Sequence, residues 1–296
     1  MIKNFINDNK FEYYKDTSLK NYNTYKLDTI CKYLIFPKTR EELIKLIKYL
    51  KENNCKYIVL GNGSNVIFAD DYYDGIVIKL DHLNKLTINK DIVEVEAGYS
   101  VIKLAMDVAL MGLSGLEFAS GIPGSIASSV AMNAGAYNDS LSEILISVEV
   151  LTPNHEIITM TNSELDFRYR HSFFKDNKDY IIISCKLKLN HGDKKEILNL
   201  ISQRRIRRIE SQPLNYPSAG SVFRNPEGMH AGALIEKCGL KGHIIGGAQI
   251  SKKHANFIVN YNNATGKDII ALINKAKKEV KKKYHVDLIL EQIIID

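Results

Sequence analysis

Proline is scarce in this chain, six among 296 residues, and no Pro/Gly/Ser-rich stretch divides it. Domain boundaries must therefore be read from hydrophobic pattern rather than from linkers. No internal repeat is present, which excludes solenoid and propeller architectures. No apolar run approaches the ~18 residues that a membrane-crossing helix needs. The opening MIKNFINDNKFEYYKD lacks an apolar core and carries acids, unlike a secretory leader. A cytoplasmic protein with no membrane partner is the expectation. Cysteine is limited to Cys31, Cys55, Cys185 and Cys238, far apart and without CxxC spacing. That pattern argues against zinc, and no metal is expected; four reduced, mostly buried thiols are. Net charge is +6, from 40 Lys+Arg against 34 Asp+Glu, a weak lean towards anionic partners. The charge is densest in QRRIRRIE, with Arg204, Arg205, Arg207 and Arg208. Such a run faces phosphate, nucleic acid or only solvent, and a solvated helix face is the commonest fate. No aromatic-interleaved basic stripe accompanies it, so nucleic acid is not an expected partner.

What is present is ordinary globular material, 45% hydrophobic and 25% charged, long enough for two or three subdomains. Thr39-Arg40-Glu41-Glu42 reads as a capping box opening a helix with Leu43, Ile44, Leu46, Ile47 and Leu50 on its apolar face. Strands are predicted at 56–60, 75–80 and 92–97, and a helix over 100–111. Further strands are predicted at 146–152, 156–160 and 180–189, and helices over 194–208 and 230–238. Residues 244–251 read as loop and strand, and 257–260 as a strand. Thr265-Gly266-Lys267-Asp268 caps a last long helix, and 287–295 reads as a terminal strand. Helices and strands mix without strict βαβ alternation, which predicts an α+β fold in several layers.

Two glycine loops stand out. LGNGSN, Leu60 to Asn65, follows a strand but is continued by Val66 and VIFADD. It fails the strand–loop–helix context of a dinucleotide fingerprint. What remains is a tight turn or an anion-binding nest of backbone N–H groups. SGIPGSIASS, Ser120 to Ser129, leads into small residues. A helix starting near Ser125 would aim N–H groups and a positive dipole at a phosphate; close helix packing is the alternative. Two such loops together favour a dinucleotide with a pyrophosphate.

Several polar groups are candidates for chemistry. In FRYRHSFFK, alternation on a strand would set Arg168 and Arg170 on one face. Arg170 then binds a carboxylate bidentately, or both arginines merely snorkel from a surface strand. Ser221 lies in AGSVF, outside any GxSxG elbow. It is a turn residue, a nucleophile needing a histidine base, or a proton donor. Glu291 sits in the apolar DLILEQIIID, at an outward strand position or as a functional acid. GLKGHIIGGAQISKKHANFIVN, Gly239 to Asn260, is dense in Gly, Lys, His, Gln and Asn. It is a surface for an anionic, sugar-like ligand or a long connector.

Taken in order, LGNGSNVIFAD, SGIPGSIASSVAMNAGAY, YRHSFFK, QPLNYPSAGSVFRNP, AGALIEKCGLKGHIIGGAQISKKHANFIVN and a late acid resemble the UDP-N-acetylenolpyruvoylglucosamine reductase family across nearly the whole chain. PSAGSVFRNP and KHANFIVN are the specific segments. The resemblance implies an FAD-binding fold of the vanillyl-alcohol-oxidase (PCMH) type. Flavin subdomains would span 1–82 and 83–207, and a substrate domain 208–264, completed by the helix and strand of 265–296. There is no room for the family's extra loop, so this is the shorter type. The implied catalytic residues are Ser221 as proton donor, Arg170 and Glu291. Gly61, Asn62, Gly63, Ser64 and Asn65, with Gly121, Ile122, Pro123, Gly124 and Ser125, would hold FAD. Asn225, Lys241 and Tyr169 would contact a UDP-sugar. NADPH would be the co-substrate, and no obligate protein partner is implied. The chain departs from the family pattern at Asp28-Thr29, Ala127-Ser128, Gln292 and Asp296. A flavin oxidase using oxygen, and a flavin-free binder of nucleotide sugars, are the rival readings.

Overall fold

The computed structural model describes residues 2–296, which divide into two compact units. The first comprises Met1–Lys15, Tyr33–Gly61 and Gly75–Ile206; the second comprises Asp16–Lys32, Asn62–Asp74 and Arg207–Asp296. In chain order the α-helices are α1 Ile2–Asp8, α2 Arg40–Glu52, α3 Val101–Leu110, α4 Ile126–Ala131, α5 Phe173–Asp176, α6 Lys194–Ser211, α7 Ala231–Lys237 and α8 Gly266–Tyr284.

The main sheet of the first unit has five strands in the order 157–161, 145–151, 181–188, 92–96, 86–89, every pair antiparallel. Its central strand, IIISCKLK, is apolar on both faces because a core lies on each side. Ile182, Cys185 and Leu187 enter one core with Leu104 and Val108 of α3 and Ile126 and Val130 of α4. Ile181 and Ile183 enter the other with Leu43, Leu46, Ile47 and Leu50 of α2. The change of parity between Ile182 and Cys185 has a local cause. Ser184 pairs with Glu149 while Ile182 pairs with Val150, so Ile183 is bulged out of register. Tyr57–Leu60 runs parallel to Ile76–Lys79 in a separate four-stranded sheet.

The second unit is built on α8. Its apolar stripe, Ile269, Leu272, Ile273, Ala276 and Val280, shares a core with Ala248, Ile250 and Ile258 of a three-stranded antiparallel sheet. Thr265 and Asp268 form a full capping box: the Asp268 N–H donates to Thr265 Oγ1 at 3.2 Å and the Thr265 N–H to Asp268 Oδ2 at 2.9 Å. The same carboxylate accepts the Gly247 N–H at 3.1 Å, so one cap also fixes the neighbouring hairpin. Residues 66–68 and 293–295 form a short parallel pair.

Several expectations need correction. Thr39 accepts the Glu42 N–H, but Glu42 reaches back to the Lys38 N–H rather than to Thr39. The predicted terminal strand shrinks to Ile293–Ile295, leaving Glu291 before it. Phe167–Lys175 is no strand: Arg168 and His171 close a tight turn and Phe173 opens α5. Arg170 has φ +54, a left-handed conformation that ends extended alternation. Helix α1 and the strands at Glu12–Ser18 and Ile30–Phe36 lie outside the expected elements.

At Gly266, the first residue of α8, an added Cβ would lie 1.8 Å from the Phe68 carbonyl oxygen. The helix start therefore sits directly on the strand backbone. Gly266→Ala is expected to lose at least ~2 kcal/mol of stability, the upper part of the usual overpacking range, read as a lowered urea midpoint.

Candidate active site

The first glycine loop begins where the strand Tyr57–Leu60 ends. In the first unit, Gly61 lies against the start of α4: a Cβ there would sit 3.0 Å from Ser125 Oγ and 3.0 Å from Ser128 Cβ. A side chain at this position would press on both serines, so glycine eases the close approach of the two segments. Ser125 is the N-cap of α4, and Ser125 and Ser128 exchange backbone and hydroxyl hydrogen bonds as a capping box. Ser128, a departure from the family pattern, is thus the residue that completes this cap. The loop Gly121–Ser125 is fixed to the segment before α3, through Val101 N–H to Gly124 O at 3.0 Å and Ile126 N–H to Tyr99 O at 2.8 Å. Beneath Gly61 lies Lys79, 3% exposed, whose ammonium donates to Gly61 O and pairs with Asp81 at 3.1 Å. Burial pulls its pKa below the ordinary lysine value, with Asp81 opposing. No sequence signal marked Lys79, since KL at a strand end is commonplace.

Asn62, Gly63, Ser64 and Asn65 belong to the second unit. Gly63 has φ +62 and a Cβ there would meet Tyr22 O at 2.2 Å. Asn65 Nδ2 donates to Glu291 O at 3.2 Å. Glu291 is also tied to the serine turn, because its N–H donates to Val222 O at 2.8 Å and Phe223 bridges Leu290 antiparallel. The structure thus brings Ser221 and Glu291 onto adjacent antiparallel backbones in the second unit. Gln292, buried, donates from Nε2 to Ala219 O at 2.9 Å and accepts from Tyr25 Oη at 3.0 Å. Asn256, also buried, accepts the Phe223 N–H at 3.0 Å and donates to Phe223 O at 2.8 Å. These two amides hold the turn and were not singled out by pattern.

The other predicted residues are distributed as follows. Asn225 Oδ1 accepts the Ala231 N–H at 3.1 Å, at the start of α7. Lys241 Nζ pairs with Glu236 Oε1 at 2.8 Å. Arg170 and Tyr169 are in the first unit. Tyr169 is exposed, with the Arg170 guanidinium 5.2 Å from its ring centroid. Arg170 Nη2 donates to Gly135 O at 2.6 Å and Nη1 to Asn133 O at 3.4 Å. Two backbone carbonyl oxygens thus accept from this guanidinium and orient it.

Residues 212–295 match the family model for the UDP-N-acetylenolpyruvoylglucosamine reductase C-terminal domain, and residues 31–161 that for an FAD binding domain. A reductase of that name from Lactobacillus acidophilus is 45% identical over 277 residues, 94% of this chain and 93% of its own. The chain belongs to the UDP-N-acetylenolpyruvoylglucosamine reductase family. Another reductase of that name, from Caldanaerobacter subterraneus, is 38% identical over 99% of this chain and 96% of its own length. The crystal structure of the reductase from Thermus caldophilus overlays at TM-score 0.81 with 33% identity, over 97% of this chain and 99% of that chain. Physcomitrella patens BBE-like 1 overlays at TM-score 0.52 with 15% identity, a likeness of fold alone. The α+β architecture of the flavin-binding vanillyl-alcohol-oxidase type is thereby shown for this chain. FAD is the cofactor of this flavin-dependent oxidoreductase family. The loop between Gly61 and the serine-capped start of α4, filled by any Cβ and underlain by a buried cation, fits such a group.

Lys79→Met is expected to weaken FAD retention roughly tenfold, since it removes the charge-assisted hydrogen bond, worth about 1.5 kcal/mol, that holds the Gly61 carbonyl at the loop; equilibrium dialysis of the flavin reads it. His254 supplies a pH test. Burial first, and then Lys241, hold its pKa below the ordinary 6.5, and Nδ1 accepts the Asn256 N–H at 3.2 Å. The unfolded chain therefore takes up this proton before the folded one. The stabilising contribution is complete above 6.5 and is lost as pH falls towards the depressed folded value. His254→Asn is expected to flatten the decline of urea stability on acidification through that window.

Proposed function

We propose that this chain reduces the enolpyruvyl group of UDP-N-acetylglucosamine enolpyruvate to give UDP-N-acetylmuramate, with NADPH as electron donor, in peptidoglycan precursor synthesis. Family membership along nearly the whole chain supports the reaction. The observation that carries it to residues is the serine turn. Ser221 stands on a backbone antiparallel to that of Glu291, pinned by the buried amides of Asn256 and Gln292. On a backbone so anchored, Ser221 suits a proton donor better than a nucleophile, because no serine–histidine hydrogen bond accompanies it among those described.

Bound FAD supplies the two-electron hydride chemistry between NADPH and the substrate's terminal methylene carbon. The remaining tasks fall to this chain. Hydride addition to that carbon pushes negative charge into the enolpyruvyl carboxylate; Arg170 stabilises it, helped by Glu291 acting in its protonated form as a hydrogen-bond donor, since a second anion there would raise the barrier. Ser221 Oγ then delivers a proton to the α-carbon; a hydroxyl is a weak acid, so a neighbouring cation or relay must assist. Gly61, Asn62, Gly63, Ser64, Asn65, Gly121, Ile122, Pro123, Gly124 and Ser125 hold the flavin. Asn225, Lys241 and Tyr169 bind the UDP-sugar.

Residues 1–82 and 83–207 form the two flavin-holding halves, and 208–264 with 265–296 the substrate domain. No helix among the described residues is long and apolar enough to cross a membrane. We place the protein in the cytoplasm, where precursor synthesis would tie it to cell shape, division and the cell cycle. It acts without an obligate protein partner.

Anaerobic spectra test the assignment. The purified protein is expected to be yellow, to bleach with NADPH, and to recover colour with the enolpyruvyl substrate; recovery only with oxygen would instead indicate an oxidase. Ser221→Ala should leave bleaching nearly intact while slowing substrate-driven recovery by roughly 10²–10⁴, the contribution of a positioned proton donor. Equal slowing of both half-reactions would remove Ser221 from that role.

A further inference from the structure

The arginine-rich run of α6 has no task in the reaction proposed above. Its four arginines differ in setting. Arg205 and Arg207 are exposed, whereas the Arg204 side chain is only 15% exposed. Arg204 Nη2 donates to Asp139 Oδ2 at 3.1 Å. Its guanidinium lies 4.6 Å from the centroid of the Tyr137 ring, and Tyr137 Oη donates back to the Arg204 carbonyl at 3.1 Å. Three contacts, a charge-assisted hydrogen bond, a cation–π contact and a return hydrogen bond, thus converge on one small hairpin.

That hairpin pairs Gly135–Ala136 with Asp139–Ser140, Ser140 opposite Gly135 and Asp139 opposite Ala136. Tyr137 and Asn138 form the two-residue turn, with φ +58 and +69. Positive φ at both positions is the pattern of a type I′ turn, which suits asparagine and glycine and strains a tyrosine. The tip is therefore held in place by its grip on α6 as well as by its own residues. Little slack separates tip from base, since a Cβ on Gly135 would lie 2.4 Å from Asp139 O. At the base, Gly135 O accepts Arg170 Nη2 at 2.6 Å, and Asn133 O just before it accepts Nη1 at 3.4 Å. Asn133 in turn donates from its side chain to Arg168 O at 3.1 Å. All of these residues lie in the first unit.

We propose that Arg204 is a positioning residue for Arg170: by gripping Tyr137 and Asp139 at the tip of the 135–140 hairpin, it fixes the carbonyl oxygens that aim the Arg170 guanidinium. The inference rests on the proposed role of Arg170 at the substrate carboxylate. It assigns Arg204 no contact with substrate or flavin.

The test separates the two half-reactions in the flavin-loaded protein. Arg204→Ala and Asp139→Asn are expected to slow flavin reoxidation by the enolpyruvyl substrate roughly ten- to a hundredfold, as for a slightly misplaced catalytic group. Bleaching by NADPH should stay within about twofold of the parent, because it makes no enolate charge. Arg204→Lys, retaining charge without the planar fork, should fall between parent and Arg204→Ala. In an Arg170→Ala background, Arg204→Ala should slow reoxidation no further, the signature of two residues acting through one contact. Amide exchange across 135–140 should quicken in Arg204→Ala and Asp139→Asn while that of α3 is unchanged. If Arg170→Ala slows reoxidation and Arg204→Ala does not, the positioning role is overturned and the role of Arg170 stands. Unchanged reoxidation in Arg170→Ala overturns both. Equal slowing of both half-reactions with loss of flavin marks Arg204 as merely structural and overturns the proposal. Should Arg204→Ala not fold, Asp139→Asn decides by the same outcomes.

Discussion

The two hydrogen bonds that Asn256 makes to the backbone of Phe223, one to its N–H and one to its carbonyl, exemplify the constraint on which the site depends. The residues proposed to do the chemistry lie on segments outside the main sheets, yet those segments pass through buried surroundings. Every buried N–H and carbonyl there needs a partner. A side-chain amide offers one donor end and one acceptor end, so it stands in for a missing strand. Gln292 does this for Ala219 and Gly220, and Asn23 for Leu19 and Leu27. Asn133 joins Arg168 to Ser142 in the same way. The serine turn and the arginine turn are therefore held by side-chain amides together with isolated backbone bridges, which keeps them irregular and still rigid.

Part of the backbone strain, spread along the chain, falls around the arginine turn. Asn133, Tyr137, Asn138 and Arg170 all have positive φ without being glycine. Such conformations persist only where neighbours over-determine them. Those neighbours are present: Asn133 is buried and makes two side-chain hydrogen bonds, Tyr137 is stacked by Arg204, and Arg170 is closed into the turn between Arg168 and His171. A guanidinium on a left-handed residue is displaced from the face it would share with Arg168 on a strand. The turn thus separates the two arginines. Arg168 pairs with Asp166 at 2.7 Å while Arg170 turns to carbonyl oxygens.

This explains how far the amino-acid order was legible. The capping box of α8, the apolar stripes of α2 and α3 and the buried central strand express local periodicity, and the structure repeats them within a residue or two. The alternation of FRYRH was also local, but misleading: two polar residues two apart mimic a strand, and only contacts from residues 131–135 reveal the turn. The family motifs named the positions of Ser221, Glu291 and the glycine loops. They did not show why Gln292 departs from the pattern. Its amide reaches Tyr25, a residue 267 positions away, and no window of sequence contains that bond.

The departures carry a further lesson about what glycine does in the flavin half. Ser128 replaces a usual glycine, yet it completes the cap of α4 and lies against Gly61. The close approach therefore needs a missing Cβ on one side only, and Gly61 provides it. The serine hydroxyl satisfies Ser125 N–H that a glycine would have left to solvent or ligand. Thr29, the other exchange, is buried and donates to Asp70 O at 3.0 Å. In both places a glycine is exchanged for a residue that contributes a hydrogen bond at the same spot. The loop is stiffened through these side chains, and Gly61 is the residue that leaves room for the approach to α4.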